Sequence, residues 1–219
     1  MTGPMVIAID GPSGSGKSTT ARLLAQRLGL AYLDTGAMYR AIAWAYLRSG
    51  LDASDTEGIR SLAVSTDLRI ATIPDQPRVS VDGEVVTDAI REPRISENVS
   101  TVAAIPEVRK FLIRKMREII AAHGRRIVVE GRDITTVVAP DAQVRVLLVA
   151  DPDARVARRR AELGERVDET AVTDQVIRRD RDDSRVTNFT EAAEGVTVID
   201  STHIGPDEVV EHIVQLTRR

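Results

Sequence analysis

Gly11-Pro12-Ser13-Gly14-Ser15-Gly16-Lys17-Ser18 satisfies the pattern G-x-x-x-x-G-K-[ST] at every fixed position, and Thr19 opens the run behind it. Glycines let such a loop wrap so that backbone N–H groups turn inward on an anion, and a following helix adds its positive dipole end. Lys17 would reach the β- and γ-phosphates of a nucleotide, and the Ser18 hydroxyl would ligate Mg²⁺. A Gly/Ser-rich turn could match by accident, so context decides. Met5 to Ile9 reads as a buried strand and Thr19 to Leu28 as a helix, which is where the motif has to sit. The chain has 30 Lys and Arg, of which only 3 are lysine, and one of those stands at position 17, where a compact ammonium suits the loop better than a guanidinium fork.

Four further groupings have spacings that chemistry uses. In Asp34-Thr35-Gly36-Ala37-Met38-Tyr39-Arg40, Thr35 is placed to cap a helix, and Arg40 lies about one turn in, where it could grip an oxyanion. A cap and an exposed arginine need no ligand, so spacing alone leaves both readings open. Ile127-Val128-Val129-Glu130 is an apolar strand ending in a carboxylate, the Walker B arrangement in which the acid orients Mg²⁺ or its water. Gly131 permits a sharp turn there, from which Arg132 and Asp133 project. Arg178, Asp182 and Arg185 share one helical face, and so do Arg155, Arg158 and Arg159, with Arg160 beside them. Highly charged helices are usually solvated ones laced with ion pairs. Facing a cleft, the first set would hold ribose and phosphate; on a lid, the second would neutralise a transferring phosphoryl group.

The elements that must position these residues alternate in type, as in a parallel α/β sheet. Strands are expected at Val6–Ile9, Ala31–Asp34, Ile127–Glu130, Val144–Val149 and Val196–Ile199. Helices are expected at 17–28, 37–48, 107–122, 153–163, 170–185 and 206–217. Several strands end in Asp, Glu, Gly or Ser clusters: 10–11, 34–36, 130–133 and 200–202. Ligands collect at the carboxyl ends of strands in open α/β sheets, so the four should converge. Residues from about 65 to 90 break the rhythm with period-two alternation, and Asp82-Gly83 is a strong hairpin turn. A small antiparallel sheet inserted in the core is expected there.

Composition narrows the classes. A net charge of −3 argues against general nucleic-acid or membrane binding, and 3% aromatic content offers no stacking platform for single strands. No apolar run approaches a membrane span, and the start of the chain lacks the regions of a signal peptide. Zero cysteines exclude disulfides and thiolate metal sites, which fits a cytoplasmic protein.

Together these residues resemble the bacterial cytidylate kinase family over nearly the whole chain. The resemblance rests on Ile9 to Ser18, Asp34 to Arg40, Gly131-Arg132-Asp133 with Val137-Val138 and Pro140-Asp141-Ala142, and Asp200-Ser201-Thr202. It implies a P-loop kinase with a five-stranded parallel sheet flanked by helices, an inserted antiparallel β lobe and an arginine-bearing lid. The implied units are 1–34 as core with the phosphate loop, 35–105 as monophosphate lobe, 106–152 as core, 153–168 as lid and 169–219 as core. The implied reaction is ATP γ-phosphoryl transfer to CMP or dCMP with Mg²⁺ on Ser18, in a monomer. Gly11 to Thr19 would hold ATP, and Lys17, Arg132, Arg158 and Arg159 would serve the transfer. By the same resemblance Thr35, Arg40 and Arg132 lie near the acceptor phosphate, with Tyr39 among the acceptor contacts. Ser100, Arg109 and Asp133 match the cytosine-recognising groups, and Arg178, Asp182 and Arg185 the ribose, phosphate and base contacts. Asp200-Ser201-Thr202 would hold adenine through its backbone or simply cap the last helix.

Two positions depart from the family pattern beside the acceptor pocket. Thr135 stands where glycine is usual, and Thr187-Asn188-Phe189 replaces a small-residue-Pro-Leu stretch. The residues also admit a P-loop kinase for another small acceptor, or a regulator that binds ATP without transferring phosphate. A GTPase switch lacks support, since no N-K-x-D guanine motif is present.

Overall fold

The computed structural model describes residues 3–163 and 191–218. Its core is a five-stranded sheet in the order β2-β6-β1-β7-β8, formed by Met5–Asp10 (β1), Ala31–Asp34 (β2), Arg126–Gly131 (β6), Val144–Val149 (β7) and Thr197–Asp200 (β8). Every pairing is parallel. Parallel strands buried on both faces read as continuous apolar runs, which is why the sequence located β1, β2, β6 and β7 to within a residue; β8 is largely exposed. The last begins at Thr197 rather than Val196.

Alternation along β1 divides the core. Val6 and Ala8 join one apolar cluster with α2 (Thr35–Ser49) and α5 (Pro106–Ala122), while Ile7 and Ile9 join another with α1 (Lys17–Leu28) and α7 (Pro206–Leu216). The register brings Asp10 opposite Gly131, and Asp34 opposite Glu130. Three of the four expected clusters therefore meet at one edge. Asp200 pairs with Val149 and brings the fourth to the same edge.

The expected insertion is present as β3 (Leu68–Ile70), β4 (Val79–Val81) and β5 (Glu84–Val85), all antiparallel. Asp82 and Gly83 both take positive φ, 50° and 85°, as a two-residue hairpin turn with the right twist requires. Past β3 the insertion docks on the open sheet edge, where Tyr32 N–H donates to the Thr72 carbonyl at 2.9 Å. Two helices had no counterpart in the sequence reading: α3 (Thr56–Ser65) and α4 (Pro93–Ala103). Both are short, and α4 opens on a proline whose fixed φ suits a first helical turn. Beyond β7 lies α6 (Pro152–Leu163). The helix expected at 170–185, and with it Arg178, Asp182, Arg185 and Thr187–Phe189, lies outside the described residues. Among the described residues no helix is long and apolar enough to cross a membrane.

Candidate functional site

The phosphate loop runs from the central strand β1 into α1, with Gly16 in a left-handed conformation (φ 87°) at the helix cap. Its walls are close. A side chain at Gly14 would start 2.6 Å from the Arg155 carbonyl of α6. Lys17 Nζ donates to the Pro12 carbonyl at 3.1 Å, and Ser18 Oγ donates to Glu130 Oε1 at 2.6 Å. Ser13, Gly14, Gly16, Lys17, Ser18 and Thr19 line a cavity of about 470 Å³. Gly11, Pro12 and Ser15 are not on its wall.

Glu130 is buried and also accepts from the Tyr32 hydroxyl at 3.2 Å. Burial pushes its carboxyl above the ordinary value and Asp34 adds to that, while Lys17 and the Ser18 hydroxyl pull it back. Tyr32 is itself driven up, first by burial and then by the negative charges of Glu130 and Asp34. Burial would also raise Asp34, but Arg40, the Ala37 N–H and Arg91 outweigh it and hold that carboxyl below its usual range.

The helix cap is Asp34 and not Thr35, contrary to the sequence expectation. Asp34 Oδ1 accepts from Ala37 N–H at 2.8 Å, and its Oδ2 pairs with Arg40 at 2.9 Å. Asp supplies the same acceptor one residue earlier, so the helix starts at Thr35. Thr35 Oγ1 instead donates to the Glu130 carbonyl at 2.8 Å. That approach needs glycine at 131: a Cβ there would lie 2.4 Å from Thr35 Oγ1 and 2.7 Å from Ile134 Cδ1.

Beyond Gly131 the chain enters a π-helical turn, Ile134–Val138. Arg132 Nη1 donates to the Gly11 carbonyl at 2.9 Å, so it already touches the phosphate loop. Asp133 pairs with Arg109 of α5. Burial lifts the Asp133 carboxyl, and Arg109 partly restores it. Tyr39 lies beside this pair with its hydroxyl buried and without a partner. Its phenol is raised, chiefly by burial. Ser100 is half-buried on α4 and is not on the cavity wall; Ser96, one turn earlier, is.

On α6, Arg155 Nη1 donates to the Ser13 carbonyl at 3.1 Å, and Arg158 Nη1 donates to Ser201 Oγ at 3.0 Å. Ser201 Oγ in turn lies 3.0 Å from the Ser15 carbonyl, to which it donates. Asp200 Oδ1 accepts from Thr202 N–H at 2.8 Å. The 200–202 cluster thus buttresses the phosphate loop. It does not cap α7, whose cap is Gly205 with no side-chain bond. Arg159 lines the cavity and Arg160 is exposed.

The cavity wall carries Lys17 and seven arginines against three carboxylates. Such a cleft selects anions with several charges. Three of the arginines were not among the sequence candidates: Arg22, Arg78 and Arg91. Arg22 had a signal, one turn after Ser18 on α1. Arg78 and Arg91 had none, because the folding of the insertion brings them to the cleft. Among the described residues no group of three or more His, Cys, Asp or Glu could hold a metal. The Ser18 hydroxyl beside Glu130, all hard oxygen, nevertheless fits a Mg²⁺ that keeps several waters.

Comparison with known proteins agrees with this geometry. Residues 7–219 match the family model described as cytidylate kinase. A cytidylate kinase of Cutibacterium acnes is 57% identical over 216 residues, covering 98% of this chain and 96% of that protein. A cytidylate kinase of Caldanaerobacter subterraneus is 45% identical, covering 97% and 94%. The solved structure of an uncharacterized protein from Eubacterium ventriosum superposes with a TM-score of 0.54 at 13% identity, covering 98% of each chain, and bears on the fold alone.

Proposed function

The chain belongs to the cytidylate kinase family, and from that premise we propose how its cleft holds two nucleotides for in-line transfer. The enzyme moves the γ-phosphoryl group of ATP to CMP or dCMP, giving ADP and CDP or dCDP. One observation carries the reading of the site. A single cavity runs from the phosphate loop to the Arg109–Asp133 pair, with cationic side chains along it.

Gly11 to Thr19 cradle the ATP phosphates, and Lys17 sits where the β- and γ-oxygens come. The Ser18 hydroxyl would hold Mg²⁺, with Glu130 beside it to accept from a bound water, and the ion would supply neutralising charge for the phosphate oxygens. Residues 35–105 form the acceptor lobe. Arg40 and Arg132 receive the acceptor phosphate, which is ionised at neutral pH, so no general base is required. None of the three histidines, His123, His203 and His212, lines the cavity. Catalysis is positioning plus charge neutralisation. Holding donor and acceptor in line supplies ~7–11 kcal/mol of the barrier.

Asp133 accepts the cytosine amino group with Arg109 orienting its carboxylate, and Tyr39 gains a partner for its buried hydroxyl when the acceptor enters. Uracil offers a carbonyl at that edge and leaves Asp133 unpaired, which disfavours UMP. Ser100 reaches the base only if α4 moves, since Ser96 now holds the wall. Arg178, Asp182 and Arg185 hold ribose, phosphate and base from the segment after the lid, 153–168. Arg159 is the lid arginine nearest its work, because Arg158 is engaged by Ser201. The enzyme works as a monomer in the cytoplasm.

Turnover of CMP, dCMP, UMP and AMP with ATP–Mg²⁺ tests this assignment. CMP-dependent ADP release with CMP well above UMP is the expected result. Equal rates for CMP and UMP would overturn the base assignment, and ATP binding without turnover would make the protein a sensor.

A further inference from the structure

Asp10 has no part in the chemistry above, yet it is 3% exposed and ends the central strand immediately before the phosphate loop. A buried carboxylate beside a site for polyanions opposes their binding, so its presence calls for a compensating role. Its partners supply one. Asp10 Oδ1 accepts from Ile134 N–H at 2.8 Å, and Oδ2 accepts from Thr135 N–H at 2.8 Å and from Thr135 Oγ1 at 2.7 Å. No cation pairs with Asp10 among the described residues. The next residue, Gly11, receives Arg132 at 2.9 Å on its carbonyl. Four hydrogen bonds therefore tie two residues at the root of the phosphate loop to residues 132, 134 and 135. Asp133 lies between them. Thr135 is buried, its hydroxyl faces Asp10, and it does not line the cavity.

We propose that Asp10 and Thr135 are a positioning pair that fixes the Arg132–Asp133 loop to the phosphate loop, setting the acceptor's place relative to ATP and not the choice of base. The proposal rests on the acceptor role of Arg132 and Asp133. It also reassigns the departure at position 135. A glycine there would keep the backbone donor and lose the hydroxyl, so this chain adds a third bond to a clamp the backbone already makes. The two loops then move as one body, and an error at Asp10 displaces the acceptor's contacts while leaving the glycine cradle intact.

Steady-state kinetics of Asp10→Asn, Thr135→Val and Thr135→Ser test the pair, with folded fractions measured by thermal melts. Asp10→Asn turns an amide N–H₂ toward N–H donors. Its kcat with CMP, per folded enzyme, should fall about ten- to a hundredfold, the scale of a misplacement near 1 Å. Thr135→Val should give a smaller loss, about three- to tenfold, for one bond to a charged group. Thr135→Ser should stay near wild type. In all three the KM for ATP and the CMP-to-UMP ratio should hold. A wild-type kcat in both Asp10→Asn and Thr135→Val would overturn the proposal, as would a changed base ratio in Thr135→Val. Should Asp10→Asn fail to fold, the Val and Ser pair at 135 decides alone. Wild-type enzyme inactive on CMP would instead refute the acceptor assignment itself.

Discussion

Asp133 is a carboxylate whose usefulness depends on its charge. In the proposed base contact only the ionised form would accept the cytosine amino group on either oxygen, and burial raises its pKa above the ordinary 3.8 despite Arg109. As pH falls, protonation therefore begins earlier than for a free aspartate. The preference for CMP over UMP should weaken on the acid side above that value, as kcat/KM ratios across pH would show. Asp133→Asn should abolish this dependence and move selectivity toward UMP, because an amide N–H₂ can donate to the uracil carbonyl. An unchanged ratio would remove Asp133 from base recognition. Lys17→Ala should lower kcat by ~10²–10³, the cost of one donor aimed at developing charge, measurable by ADP release. Lys17 and Glu130 were legible from the sequence because a spaced motif ties each to a strand end. Tyr32, which holds Glu130, was not, since an aromatic in a strand reads as core.

Elements placed these residues more surely than any side chain did. Gly131 is a tight joint, where β6 must let Thr35 come within bonding distance of the Glu130 carbonyl. Gly131→Ala should destabilise the fold by ~1–3 kcal/mol through overpacking, read from the denaturant midpoint, with a Thr35→Ala background recovering part of the loss. Full stability in Gly131→Ala would show that the loop adapts. Apolar strands, the phosphate-loop helix and the Asp-Gly hairpin were readable because each has a local cause: burial on both faces, a dipole beside glycines, or positive φ at a turn. The cap of α2 was misread by one residue, because Asp and Thr are both good caps and only the bonded geometry chooses. The helices α3 and α4 were missed because they flank the inserted sheet, outside the strand–helix alternation that marked the others.

At the scale of the molecule, the cleft gathers Lys17 and seven arginines in a chain whose net charge is −3. The overall charge misleads about the site, because the positive charge is concentrated where the strands end. Raising ionic strength should therefore raise KM for ATP and CMP while leaving kcat nearly fixed, since screening acts on the approach of charged ligands. A salt-independent KM would contradict a steering role for the arginines. By itself the sequence determined the phosphate loop, the parallel core, the inserted hairpin and the family, because these rest on local spacing and on combinations of residues in order. Tertiary structure alone decided that Arg78 and Arg91 reach the cleft, that Ser201 and Arg158 brace the phosphate loop, and that Thr135 serves Asp10. Those contacts join residues far apart along the chain, and only the register of the sheet and the docking of the insertion bring them within bonding distance.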